Sequence, residues 1–388
     1  VTSRLPGLFQ GDRVRAYQQL RILGRRHRVT LVSFASRRQL ADAPADLAAH
    51  CARVVTVPLD PVRMAVAGLR GGGSPRPLQV SLFQSRRMRD AIAAARRGEA
   101  FDVAHVQLAR MGSYLDDVRP LPCVVDLVDA LSLNMQRRAA HERAPWRWLF
   151  RHEARRLRRY ERHLCERVGR VLVGSPAERD ALGAPSNLVA VTSGVDLAAF
   201  PFGTTARASD TVVFSGNLGY FPNVRAALWL GRTILPLVQR AIPAVQLHLV
   251  GRRPARPIRQ LAREHPSISL ARDVVDVAPH LARAAVAVAP MQAGSGQPLK
   301  ILEAMASGTP VVATPLAVSG IEARDREHLL VAGDADRFAA DVVRVLRDPG
   351  LAIDLAIRGR RLVEARYTWE GSVAALEDVY DAVVAERG

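Results

Sequence analysis

The sequence predicts an α/β protein made of two doubly wound halves, each a parallel sheet covered by helices. Short β-branched runs alternate with long alanine- and arginine-rich segments, the signature of repeated βαβ units. At 388 residues the chain is long for a single hydrophobic core. An aperiodic stretch rich in Gly, Ser, Thr and Pro, "TSGVDLAAFPFGTTARASD", divides it at 192–210. The expected organisation is a first domain over 1–191, a linker over 192–210, a second domain over 211–366 and a closing helical segment over 367–388.

The strands of the first half are read at "RVTLVSF" (28–34), "RVVTVP" (53–58), "FDVAHVQ" (101–107), "CVVDLV" (123–128) and "RVLVGS" (170–175). Those of the second are "TVVFSG" (211–216), "AVQLHLVG" (244–251), "SISLA" (267–271), "AVAVAP" (285–290) and "PVVAT" (310–314). Each is a brief apolar run of the length a buried parallel strand needs. "RGGGSPRP" (70–77) reads as a flexible loop, and no repeat has a solenoid period. The tail places Val373, Leu376, Val379, Tyr380 and Val383 at helical spacing, an amphipathic helix. "VTSRLP" reads like the end of a strand whose beginning is missing, so a truncated or alternative start is expected.

A hydrophobic fraction of 48% describes a soluble globular chain, and no run approaches the roughly 20 apolar residues of a membrane-spanning helix. No secretory signal is visible. The net charge of +18 calls for an anionic partner: nucleotide, nucleic acid or anionic membrane surface. Cys51, Cys123 and Cys165 lie far apart and are odd in number, against a disulfide framework or structural zinc and in favour of a reducing compartment.

Lys300 is the only lysine of the chain. It stands in "AVAVAPMQAGSGQPLKILEAMASG", which reads as strand, glycine loop, helix and a stop at Gly308. Gly294 and Gly296 allow close backbone approach to a ligand. A helix starting near Pro298 would aim its positive end there, and the site suits a diphosphate. Lys300 in the first turn adds a point charge, and Glu303 is placed to accept from ribose hydroxyls. The bland alternative is an ordinary βα turn with both side chains solvated. The loop is neither a Walker A sequence nor G-x-G-x-x-G after a first strand.

The second half resembles the C-terminal domain of family-4 glycosyltransferases, through "VVFSGNLGYFPNVRAALWLGRTILPLV", "LHLVGRRP", "DVVDVAPHLARAAVAVAPM" and "GSGQPLKILEAMASGTPVVATPLAVSGIEA" in order. It is most similar to the sugar transferases of exopolysaccharide and cell-surface glycan clusters, and "SGVDLAAF" is similar to that family's interdomain "NGVD…F". The resemblance implies the GT-B fold, two Rossmann-like domains facing a central cleft, the first binding the acceptor and the second the nucleotide sugar, with the helical segment over 367–388 crossing back to the first. It implies donor binding by Gly216, Asn217, Arg252, Gly294, Ser295, Gly296, Lys300, Leu302 and Glu303, with Glu303 on the ribose. Ser295 stands where the first glutamate of the family's E-x7-E would be, and "GNLGYFPN" lacks the basic pair found elsewhere. The burden of neutralising a diphosphate therefore shifts to Lys300, the loop amides and Arg252.

In the first half, "RLPGLFQGDRVRAYQQLRIL" resembles the family's glycine-bearing first loop. Gly11, Asp12 and Arg13 would face the cleft, and Asp12 would equally serve as a helix cap. Asp129 follows the strand ending at Asp126, at the sheet edge where ligands bind, and Arg110 follows the strand holding His105. Asp129, Arg110 and Lys300 are the catalytic candidates, and His105 reads as a packed histidine. From Arg137 to Arg170, arginines share helical stretches with Trp146, Trp148, Leu149 and Phe150. The pattern suits an anionic membrane face or RNA, and equally a helix packing its aromatics on the sheet with solvated arginines.

These readings lead to the expectation of a metal-independent transferase in the cytoplasm or peripheral at the inner face of the plasma membrane, and the resemblance implies retention of configuration. It would move sugar from a nucleotide diphosphate sugar, its donor substrate rather than a cofactor, to a glycan, lipid-linked or small-molecule acceptor. Peripheral contact with anionic membrane is expected over nucleic acid. The rivals are a nucleotide-sugar 2-epimerase on the same fold and a non-catalytic basic scaffold.

Overall fold

The computed structural model describes residues 1–388 except 9–10, 42, 61–63, 65, 69–74, 204–207 and 387–388. Most of the loop expected at 70–77 and part of the linker expected at 192–210 therefore lie outside the described residues. The described chain forms two compact units, Val1–Thr192 with Trp369–Gly388, and Ser193–Thr368.

In the first unit, β1 (Thr30–Ala35) pairs in parallel with β2 (Arg53–Pro58). Four further strands, β3 (Ala104–Gln107), β4 (Cys123–Asp126), β5 (Arg170–Val173) and β6 (Leu188–Ala190), follow in parallel order. Val1 and Thr2 lie between the two sets. Thr2 exchanges backbone hydrogen bonds with Val32 and Phe34 of β1, while Val1 donates to the His105 carbonyl and accepts from Gln107 on β3. Counting Val1–Thr2 as the first strand, the sheet reads 3-2-1-4-5-6-7, doubly wound, with its reversal between Val1–Thr2 and β3.

The closing helix Trp369–Ala385 belongs to this unit. It buries Trp369, Val373, Leu376, Val379 and Val383 in a cluster with Ile22, Leu23, Val124, Leu172 and Val191. Burial of five such side chains is worth roughly 1.5–3 kcal/mol each, which makes the helix part of the core. His105 packs here too, its Nδ1 2.7 Å from the Tyr380 hydroxyl, and burial pulls its pKa down to about 4.

The second unit is a six-stranded parallel sheet of β7 (Ala208–Asn217), β8 (Gln246–Arg252), β9 (Ile268–Arg272), β10 (Ala284–Ala289), β11 (Val311–Ala313) and β12 (Leu330–Val331). Their order is β12-β11-β10-β7-β8-β9. Val212, Phe214, Leu247, Leu249, Val286, Val288 and Val312 form one face of its core, and Val213, Val250, Ala287, Ala289, Val311 and Ala313 the other. Both faces are covered, as an all-parallel sheet requires. Val195, from the stretch expected as linker, makes a parallel bridge to Thr368 inside this unit.

Candidate functional site

In an open parallel sheet, ligands bind beyond the carboxyl ends of the strands where the strand order reverses. In the second unit that point lies between β7 and β10. There β7 ends on Gly216 and Asn217, and β10 leads through the glycine loop into the helix Leu299–Ala306. Gly294 and Gly296 have φ of 114° and 82°, a region L side chains rarely adopt, so the loop needs both glycines. No side chain caps the helix at Pro298. Its far end closes with Gly308 at φ 71°, where the Gly308 and Thr309 amides donate to the Met305 and Ala304 carbonyls.

Lys300 lies in the first turn with its side chain at the reversal. Its Nζ donates to Asn223 Oδ1 at 2.7 Å and lies 4.1 Å from the centroid of the Phe214 ring. Desolvation pulls its pKa down to about 7, against the opposing charge of Glu303. The same desolvation raises the Glu303 carboxyl to about 7, with Lys300 acting against it. Each group thus opposes the other's loss of charge. Both residues are half-buried rather than fully exposed on the helix surface.

Arg252 ends β8 directly beside Asn217, and Asn217 Oδ1 accepts from the Gly219 amide. Neither Leu302 nor its neighbour Ile301 reaches solvent, so Leu302 acts as core and not through its side chain on a ligand. Ser295 is partly exposed in the glycine loop. Asp334, in an Asp-x-Asp that the sequence reading did not count, accepts from the Arg337 amide at 2.9 Å and caps the helix Ala335–Arg347.

The reversal in the first unit brings together Asp12, Arg110 and Asp129. Arg110, over the Phe83 ring at 5.1 Å, is pulled down to about 10 by burial, with Arg4 adding to the shift while Asp12 and Asp129 oppose it. Asp129 is raised to about 8 by desolvation and then by Glu178 and Asp12. Its carboxyl is therefore held toward the protonated form. Glu178, which the sequence reading missed, is buried and accepts from the Ala130 amide at 2.9 Å, fixing the loop that carries Asp129.

Two placements differ from expectation. Arg13 does not face outward: it is buried, and its Nε donates to the Leu5 carbonyl at 2.6 Å, closing the glycine-bearing loop from inside. A Cβ at Gly7 would come 2.6 Å from Arg13 Nη2, so the two residues pack closely. Asp12 is not the cap; it lies in the first turn of the helix Gly11–Leu23, 3.7 Å from Arg4.

The aromatic-basic segment forms the helix Trp146–Arg167. Trp146 is 57% exposed, Trp148 63% and Leu149 48%, so these side chains do not pack on the sheet. Arg143, Arg147 and Arg151 are exposed around them. Phe150 is partly covered by the Arg138 guanidinium, 4.2 Å from its ring.

Residues 209–348 match the family described as glycosyl transferases group 1. The second unit carries a glycosyltransferase group 1 domain. The chain is 31% identical over 231 residues to a phosphatidyl-myo-inositol mannosyltransferase of Mycobacterium leprae, taking in 56% of this chain and 59% of that protein. A D-inositol 3-phosphate glycosyltransferase of Acidothermus cellulolyticus is 41% identical over 91 residues, 23% of this chain and 20% of that one. Among solved structures, sucrose-phosphate synthase of Thermosynechococcus elongatus superposes with a TM-score of 0.74 at 18% identity, covering 99% of both chains. HepE of Anabaena in complex with UDP-glucose gives 0.70 at 12% identity, covering 98% of this chain and 99% of that one. The fold is GT-B.

Proposed function

We propose that the chain is a nucleotide-sugar-dependent glycosyltransferase, with its donor diphosphate at the β7–β10 reversal and its acceptor on the first unit. The observation that carries this is Lys300, held at the glycine loop and the start of the helix Leu299–Ala306 with Glu303 one turn on. Protonated Lys300 and the helix end would stabilise the charge that grows on the departing diphosphate, a preorganised contribution needing no metal ion. Glu303 would hold the ribose. Arg252, Asn217, Gly216, Ser295 and the two loop glycines would line the rest of the donor site. Transfer with retention of configuration follows the family-4 resemblance.

Asp129, raised to about 8, and Arg110 would act on the first unit's side, as a neutral hydrogen-bond donor and a cation. For the acceptor we infer a lipid-linked polyol or glycan. Relatives matched over 59% of their length are named for phosphatidyl-myo-inositol, and Trp146, Trp148 and Leu149 stand exposed among arginines. That face suits peripheral binding to the cytoplasmic side of an anionic membrane.

The test is a thermal-shift panel of UDP, GDP, ADP, TDP and CMP, with magnesium and with chelator. A ligand that binds the native state raises its apparent stability. A shift with one nucleoside diphosphate, independent of magnesium and lost in Lys300→Ala, is expected. No shift with any of the five would overturn the donor site in favour of a polyanion-binding scaffold. Nucleoside diphosphate release without any acceptor glycoside would instead point to the epimerase.

A further inference from the structure

We propose that Asn223 is the positioning residue for Lys300, a neutral acceptor that aims the ammonium at the β7–β10 reversal without cancelling its charge. The inference rests on the donor reading above and names the residue on which that reading depends.

The Asn223 side chain is buried and committed at both ends. Its Oδ1 accepts from Lys300 Nζ at 2.7 Å, and its Nδ2 donates to the Asn217 carbonyl at 2.9 Å. Because an ammonium can only donate and a carbonyl only accept, these partners fix which way the amide points. One side chain thereby ties the end of β7 to the helix that follows β10, across the reversal. The other neighbours of Nζ are uncharged as well. The Phe214 ring lies 4.1 Å away, Met291 Sδ is at 3.8 Å, and a Cβ on Gly216 would come within 3.1 Å. Arg225, on the same helix as Asn223, turns to Gln292 at 3.3 Å. Glu303, on the lysine's own helix, is the titratable group that acts on it.

A seat built this way orients a cation and leaves it hungry for an anion. A carboxylate in place of Asn223 would satisfy the ammonium permanently and compete with a diphosphate. It would also lose the donor to the Asn217 carbonyl. An alanine would leave the ammonium desolvated with no oxygen to donate to, favouring the neutral amine.

The single lysine makes the test direct: a chain grown on ε-13C-lysine gives one side-chain signal, whose pH midpoint reports Lys300. The wild type should titrate near 7. Asn223→Ala should titrate lower and the nearly isosteric Asn223→Asp higher, with Asn223→Ser, which keeps a neutral acceptor, closest to wild type. In parallel, calorimetry with UDP, GDP and ADP should show affinity falling as pH rises through that midpoint, because the anion selects the protonated lysine. Asn223→Asp should weaken the diphosphate about tenfold or more while leaving the parent nucleoside unaffected, the scale of a lost charge-assisted contact. Variants that stay folded, keep the wild-type midpoint and bind the diphosphate normally would overturn the proposal. If the midpoint moves as described but the wild type binds no nucleoside diphosphate, the positioning stands and the donor reading falls.

Discussion

Beneath the first unit's candidate site, Arg15 Nε and Asp126 Oδ2 meet at 2.7 Å with neither side chain exposed to solvent. Arg15→Met removes the cation and leaves a carboxylate in the core. Breaking a buried pair from one side costs about 3–5 kcal/mol. Asp126 retains the Val128 amide at 2.8 Å, and His105 Nε2 lies 3.9 Å away, so the lower end, about 3 kcal/mol, is expected. The charge of Arg15 also helps depress His105, so without it the imidazole should take a proton more readily and the loss should shrink toward acid pH. Urea unfolding of Arg15→Met, Asp126→Leu and the double variant, read by a first-unit probe, measures both the loss and the coupling. The double variant should recover much of the stability, since two apolar side chains can replace a buried pair at little cost. A loss below about 1 kcal/mol in Arg15→Met, or strict additivity, would show that the pair does not hold β4 to the helix Gly11–Leu23.

Other perturbations have equally definite outcomes. Asp129 is raised to about 8, so its folded form binds a proton that the unfolded chain releases near 4; stability therefore falls as pH climbs between those values. Asp129→Asn should stabilise the first unit at pH 8 and lose that advantage by pH 4, while activity drops; an equal gain at both pH values would contradict the shift. A Cβ on Gly251 would come 1.7 Å from the Gly216 carbonyl oxygen, a backbone atom that no rotamer change can move. Gly251→Ala should therefore disrupt the second unit, as seen by solubility and near-UV dichroism, and a native-like variant would refute the close approach of β7 and β8. Trp146→Ser with Trp148→Ser should abolish flotation with phosphatidylglycerol vesicles at low salt and change stability by no more than about 0.5 kcal/mol, because both rings are exposed. Wild-type protein that stays with the aqueous fraction would remove the membrane face.

Ten strands were legible because each is a run of several apolar residues with helices to either side. The two that escaped, β6 (Leu188–Ala190) and β12 (Leu330–Val331), are three and two residues long and lie at sheet edges, too short for any periodicity. The glycine loop, Lys300 and Glu303 were legible because they are local in sequence. Asn223 was not, since its contact with Lys300 spans 77 residues and an asparagine after a proline looks like helix-start chemistry. Arg13 was expected at the cleft because its loop resembles the family's glycine-bearing first loop, whereas the fold buries it with its Nε donating to the Leu5 carbonyl. The exposed tryptophans illustrate the opposite limit: aromatic composition alone does not tell a buried helix face from a wet one.

The first unit is assembled from the two ends of the described chain, with the whole second unit inserted between Thr192 and Trp369. On a ribosome, the second unit's sheet has all of its strands before the helix Trp369–Ala385 has been made. The first unit must then wait with Ile22, Leu23, Val124 and Leu172 lacking the helix that covers them. Synthesis order thus lets the second unit complete its sheet first and leaves the first unit's apolar cluster uncovered until the helix Trp369–Ala385 is made. A nascent chain stalled before Trp369 should be protease-resistant over the second unit and sensitive over the first.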